Sequence, residues 1–134
     1  MGTIVVGYVP KSEGHAALTR AVQEAKLRGS SLMVVNSHRG GREFDASDAV
    51  ETEAQLNEIK SALHETGVDY EVRQLVRGMD PAEDLVNVAE EVEAEFIVID
   101  LRRRSPVGKL ILGSNAQRVL LDAPCPVLAV KAQD

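Results

Sequence analysis

Five short apolar runs punctuate the chain: Ile4–Val9, Ser31–Asn36, Tyr70–Val76, Phe96–Ile99 and Val127–Val130. Three of them, Ile4–Val9, Ser31–Asn36 and Phe96–Ile99, read as strands buried on both faces, and Val127–Val130 as a fifth strand. The Tyr70 run differs. There Tyr70, Val72, Gln74 and Val76 are separated by Glu71, Arg73 and Leu75, which predicts a strand nearer a sheet edge. The stretches between the runs have helical period. Ser12 can cap a helix to about Lys26 or Arg28, with Ala17, Leu18, Ala21, Val22 and Ala25 on one face. A second helix is predicted from Asp48 to Thr66 through Val50, Ala54, Leu56 or Asn57, Ile59 or Lys60, and Leu63. Gly29 and Gly67 stand where a helix end wants φ > 0. Asp80-Pro81-Ala82-Glu83 and Ser114-Asn115-Ala116-Gln117 read as capping boxes that open two further helices. Strands that alternate with helices demand crossovers, so the order β-α-β-α-β-α-β-α-β predicts a doubly wound, five-stranded parallel sheet with helices on both faces.

At 134 residues the chain fits one domain, residues 1–134, large enough to bury its own core. The net charge is −6, which disfavours nucleic-acid backbones and anionic membranes as general partners. Aromatics make up 3% and Trp is absent, which leaves little for a base-stacking platform. Cys125 is the single cysteine, so neither an internal disulfide nor a multi-cysteine zinc site can form. His15, His38 and His64 are scattered. No apolar run nears the ~20 residues that span a bilayer, and the start Met1-Gly2-Thr3-Ile4 lacks a basic leader. A reducing cytoplasm is the expected compartment. The His38–Ser47 segment, with two glycines and mixed charges, is expected to be a loop.

Ligands of doubly wound sheets sit beyond the carboxyl ends of the strands, where strand order reverses. Three segments compete for that place: Val9 to Gly14, Asn36-Ser37, and the connection Asp100 to Ser114. The last is the most informative. Gly113-Ser114 stands at a helix N-terminus, whose free N–H groups and dipole favour an anion, and Arg102, Arg103 and Arg104 add charge upstream. The plainer reading makes Ser114 a cap and the arginines a solvated loop. Other chemistries fail. No Walker-A or Gly-x-Gly-x-x-Gly motif follows the first strand. A phosphoacceptor domain would need acidic residues where Val9-Pro10 and Gly78-Met79 stand. No nucleophile elbow is present, and Cys125, between two prolines, reads as a packing residue. No general base, nucleophile and oxyanion donor can be assembled from these residues with any specificity.

Four segments together resemble the universal stress protein family. They are Ile4-Val5-Val6-Gly7 with Ala16-Ala17-Leu18, then Gly78-Met79-Asp80-Pro81-Ala82-Glu83-Asp84-Leu85, then Val107-Gly108-Lys109-Leu110-Ile111-Leu112-Gly113-Ser114, and Ala123-Pro124-Cys125-Pro126-Val127-Leu128-Ala129-Val130. The resemblance implies a single-domain, Rossmann-like fold of the adenine nucleotide alpha hydrolase-like type, with strand order 3-2-1-4-5. It also implies a stress-response role and a homodimer paired through the last strand, Val127, Leu128, Ala129 and Val130.

Nucleotide-binding members of that family carry Gly-x-x-Gly-(x)9-Gly-Ser/Thr after strand four and an Asp after strand one. Here Asp100 and Arg103 replace the first two glycines, Val9 replaces the Asp, and Gly113-Ser114 remains. The departures have two readings. In one, a variant loop still takes ATP or AMP. Val9, Pro10 and Ser37 then lie near adenine, phosphates sit on Gly113, Ser114 and Asn115, and Arg102 or Arg103 acts as clamp. Asp100 could then help hold Mg²⁺. In the other, the site is lost and the protein is a nucleotide-independent homodimeric module that binds a protein partner.

Overall fold

The computed structural model describes residues 2–7, 12–38, 46–76, 81–101 and 114–131. Its elements follow the expected order: β1 (Thr3–Gly7), α1 (Ser12–Arg28), β2 (Ser31–His38), α2 (Ala46–Thr66), β3 (Tyr70–Val76), α3 (Pro81–Glu91), β4 (Phe96–Leu101), α4 (Ser114–Asp122) and β5 (Val127–Lys131). The sheet order is β3-β2-β1-β4-β5, and all four pairings are parallel. The alternating run Tyr70–Val76 is indeed an edge strand. Gly29 and Gly67 have φ of 67° and 78°, the left-handed conformation that ends α1 and α2 without a Cβ clash.

Two apolar layers enclose the sheet. Ile4, Val6, Leu32, Val34, Phe96 and Val98 face Ala17, Leu18, Ala21 and Ala25 of α1 and Ile59 and Leu63 of α2. On the other side Val5, Met33, Val35, Ile97 and Ile99 pack with Ala82, Leu85, Val88 and Ala89 of α3 and Val119 of α4. Ile4, Val5 and Val6 of β1 are wholly buried because successive residues serve opposite faces of the central strand. The small residues on α1 let the helix axis lie close to the sheet. At the β3 edge, Arg73 bonds Glu91 of α3 and Glu71, and these carboxylates, Glu91 first, hold its guanidinium pKa above the ordinary value.

Three elements run past the bounds read from the sequence, the first being β2, which includes Ser37 and His38. The second helix begins two residues before Asp48, and its buried face is Leu56, Ile59 and Leu63, whereas Ala54 is exposed. The fourth strand extends past Ile99, so Asp100 and Leu101 belong to β4 rather than to the following connection. They pair with Val130 and Lys131 of β5, which supplies the ladder partners that apolar patterning alone does not count. The described part of β1 ends at Gly7, and Val9 and Pro10, like residues 39–45, lie outside the described residues.

Candidate functional site

Strand order reverses between β1 and β4, so the crevice at their carboxyl ends is where such a sheet accepts a ligand. Register defines what stands there. On the α1/α2 face, Tyr70, Leu32, Ile4 and Phe96 form one row across the sheet. Val72, Val34, Val6, Val98 and Leu128 form the next. Two residues further along, the row turns polar: Gln74 on β3, Asn36 on β2 and Asp100 on β4, with Val130 on β5. On β3, β2 and β4 the sheet therefore changes from apolar to polar at one level, near its carboxyl edge. Asn36 and Asp100 flank the β1 column, about 10 Å apart at the usual strand spacing.

Asp100 is tied down. Its Oδ1 accepts a hydrogen bond of 2.9 Å from the backbone N–H of Ala17, which links the end of β4 to α1. The expectation that Asp100 helps hold Mg²⁺ thus falls on a carboxylate that already serves the fold. Among the described residues, no group of three or more His, Cys, Asp or Glu side chains could hold a metal ion.

Asn36, anticipated together with Ser37 only as a strand end that could border a ligand, is the polar residue of this level on β2. It is 1% exposed, and its Nδ2 has no hydrogen-bond partner among the described residues. The other buried polar residues are accounted for. Glu24 pairs with Arg20 at 3.2 Å and Arg28 at 3.3 Å, and Ser30 Oγ donates to Glu95 Oε2 at 3.0 Å. Asp84 also has a partner. The available signal was one amide closing the apolar run Leu32-Met33-Val34-Val35. Its alignment with Asp100 becomes visible only through the strand register.

The remaining expected site residues are placed by topology. Ser37 is the penultimate residue of β2 and thus lies at the same carboxyl edge. Ser114 and Asn115 open α4, which is the crossover between the parallel strands β4 and β5. Such a crossover starts at the carboxyl end of its first strand, so the N–H groups and positive dipole end of α4 face the same side of the sheet. Val9, Pro10, Arg102, Arg103 and Gly113 lie outside the described residues.

Cys125 is half-buried against the α3/α4 layer, and burial pushes its thiol above the ordinary thiol range. The neutral thiol is the form that the fold favours. Stability from this residue is therefore full below the unfolded thiol's pKa of ~8.5 and falls as pH rises beyond it. At pH 7.5 alkylation by iodoacetamide should run slower in the folded protein than in denaturant. Equal rates would remove Cys125 from the packing role.

A shallow cleft of about 120 Å³ between α3 and α4 is lined by Ala82, Glu83, Val86, Arg118 and Asp122. It lies apart from the polar row, on the opposite face of the sheet. No helix among the described residues is long and apolar enough to cross a membrane.

Comparison with known proteins agrees with this geometry. The family model described as "Universal stress protein family" matches residues 1–131. A universal stress protein of Mycolicibacterium smegmatis is 44% identical over 128 residues, covering 96% of each chain. Among solved structures, a universal stress protein from Archaeoglobus fulgidus superposes with a TM-score of 0.85 at 41% identity, covering 98% of this chain and 99% of that one. Another, the universal stress protein from Archaeoglobus fulgidus in complex with dAMP, gives a TM-score of 0.78 at 35% identity and covers 98% of both chains. Sequence segments, strand order and whole-chain similarity converge: this chain belongs to the universal stress protein family.

Proposed function

We propose that the chain binds an adenine nucleotide, ATP or AMP, at the carboxyl edge of its sheet and acts in the stress response through that occupancy. The observation that carries the reading is the polar level at the β1/β4 switch point, on the edge where α4 begins. The complex of a 35%-identical relative with dAMP supports the same ligand class. In this reading the phosphates lie on Gly113, Ser114 and Asn115, where helix N–H groups act without a metal's help. Arg102 and Arg103 supply charge that glycine N–H groups supply in the usual motif. Val9, Pro10 and Ser37 border the base.

The test is a thermal melt with AMP and with ATP, each with and without Mg²⁺. A ligand at ten times its Kd stabilises the native state by about 1.4 kcal/mol. For a domain of this size that is a rise of about 4–6 °C. Ser114→Ala and Arg103→Ala should each reduce the shift, and a full shift in both variants would remove the phosphate assignment. No shift with any nucleotide in the parent protein would remove the reading itself.

The same reading includes a homodimer paired through β5. This strand lies at the sheet edge, with Ala129 exposed and Val127, Leu128 and Val130 half-buried. An unpaired edge of this kind is a template for a second chain. Leu128 and Val130 also pack on the protein's own α1/α2 layer, so a charge at either position would disturb the core. Ala129→Asp is the cleaner probe. It should convert a dimer to monomer by sedimentation at micromolar concentration with little change in Tm, and a parent protein that already sediments as a monomer refutes the pairing.

A further inference from the structure

We infer that Asn36 is a specificity determinant of the nucleotide site, its Nδ2 donating a hydrogen bond to an unprotonated ring nitrogen of the base. The inference rests on the nucleotide reading above and goes beyond it, because it names the group that reads the base and the chemistry by which it does so.

A buried amide donor with no partner is an unfavourable thing for a fold to keep. Desolvating the N–H without replacing its bond to water destabilises the native state, and native proteins leave few such groups. Position 36 could carry Val at no such cost, since Val34 precedes it on the same face of β2 and the strand is apolar from Leu32 to Val35. The unpaired atom is also not placed at random. It stands on the level where the sheet turns polar, in register with Gln74, one strand away from the β1/β4 switch point. On the same level across β1, the Asp100 carboxylate is held by the Ala17 N–H. On this level the Asp100 carboxylate has a protein partner in place, whereas the buried Asn36 Nδ2 has none among the described residues.

The chemistry selects the ligand atom. An amide N–H₂ can only donate, so it needs an acceptor. The adenine ring carries three unprotonated nitrogens, N1, N3 and N7, each of which can serve. A base with N1 protonated, such as hypoxanthine or guanine, offers a donor at N1 but keeps the N3 and N7 acceptors, so a contact at N1 is the one that excludes it. A site whose donor is left facing another donor rejects the ligand strongly, because both groups are then desolvated without a bond. At 1% exposure, water does not compete for the bond, so its loss should be felt in full.

The experiment titrates AMP and its 1-deaza, 3-deaza and 7-deaza analogues into the full chain by calorimetry, for the parent protein and for Asn36→Val. The parent should lose about tenfold in affinity for one of the three analogues, as expected for one hydrogen bond to a buried group. Asn36→Val should bind AMP about tenfold more weakly and should not distinguish AMP from that analogue. Its Tm without ligand should hold or rise, since an unsatisfied donor has gone. Asn36→Ala provides the same comparison should the valine fail to fit. A parent protein that binds AMP but treats all three analogues alike overturns this inference and leaves the nucleotide reading standing. So does a variant that keeps the parent's analogue preference. Loss of more than about 5 °C in the free form of both variants would show that Nδ2 is already satisfied without ligand, and overturns it too. A parent that binds neither AMP nor any analogue at millimolar concentration overturns both.

Discussion

Replacing Asp100 by Ala is expected to lower the thermal midpoint by about 6–10 °C. The carboxylate accepts from the Ala17 N–H at 2.9 Å, and Ala17 itself is fully buried. A hydrogen bond to a charged group contributes roughly 1.5–3 kcal/mol, and its removal leaves a buried donor behind. Each kcal/mol moves the midpoint of a domain this size by about 3–5 °C. Asp100→Asn retains an Oδ1 acceptor and should recover at least half of the loss. The pair separates geometry from charge: an unchanged midpoint in Asp100→Ala would show that the link between β4 and α1 contributes nothing. This prediction also bears on the family motif. Asp100 stands where the sequence resemblance implies a glycine, and in this chain its side chain joins the strand end to the helix. The departure therefore has a structural reason of its own, independent of whether a phosphate approaches the loop.

Ile97→Ala should destabilise still more, by about 3–4 kcal/mol. Ile97 has no exposed surface and sits on the α3/α4 face of β4, paired with Val5 and with Val127. Three methylene-sized groups would vanish from a layer built of Met33, Val35, Leu85, Val88 and Ala89, and central strands cannot move inward to fill the gap. Against a typical total of 5–15 kcal/mol, the fall in midpoint should reach 10 °C or more. Ile97→Val keeps the β-branch and should cost only about 1 kcal/mol. Chemical denaturation of the two variants checks both values, and a loss below about 1 kcal/mol in Ile97→Ala would mean that the layer relaxes around the cavity. Ile97 and Asp100 lie three residues apart on one strand, so their side chains serve opposite faces. One is predicted to act through volume and the other through a single bond.

Much of this was readable before any coordinates. Apolar runs such as Ile4-Val5-Val6 and Phe96-Ile97-Val98-Ile99 name buried strands because only a two-sided core tolerates them. Gly29 and Gly67 mark helix ends because their φ is positive. The alternation around Tyr70 placed β3 at an edge for the same reason that it carries Arg73 and Glu71 toward solvent and toward α3. The element boundaries were less legible. Apolar patterning stopped the fourth strand at Ile99, yet backbone pairing with Val130 and Lys131 carries it through Leu101.

The candidate site divides along the same line. That Ser37 stands at a strand end and that Ser114 and Asn115 open a helix was legible because these are local features, written in neighbouring residues. The burial of the Asn36 amide and the bond made by Asp100 were not, since 64 residues separate the two in the chain and nothing local to either predicts the other. The sequence by itself determined the alternation of strands and helices, the parallel sheet that alternation requires, and the family. Only the tertiary structure decided that Gln74, Asn36 and Asp100 fall on one level, that Asp100 reaches the Ala17 N–H, and that the Asn36 amide does not find a partner among the described residues. The physical reason is that hydrophobic period fixes which face a residue serves, whereas register fixes which residues on that face become neighbours, and register is a property of paired strands rather than of any one of them.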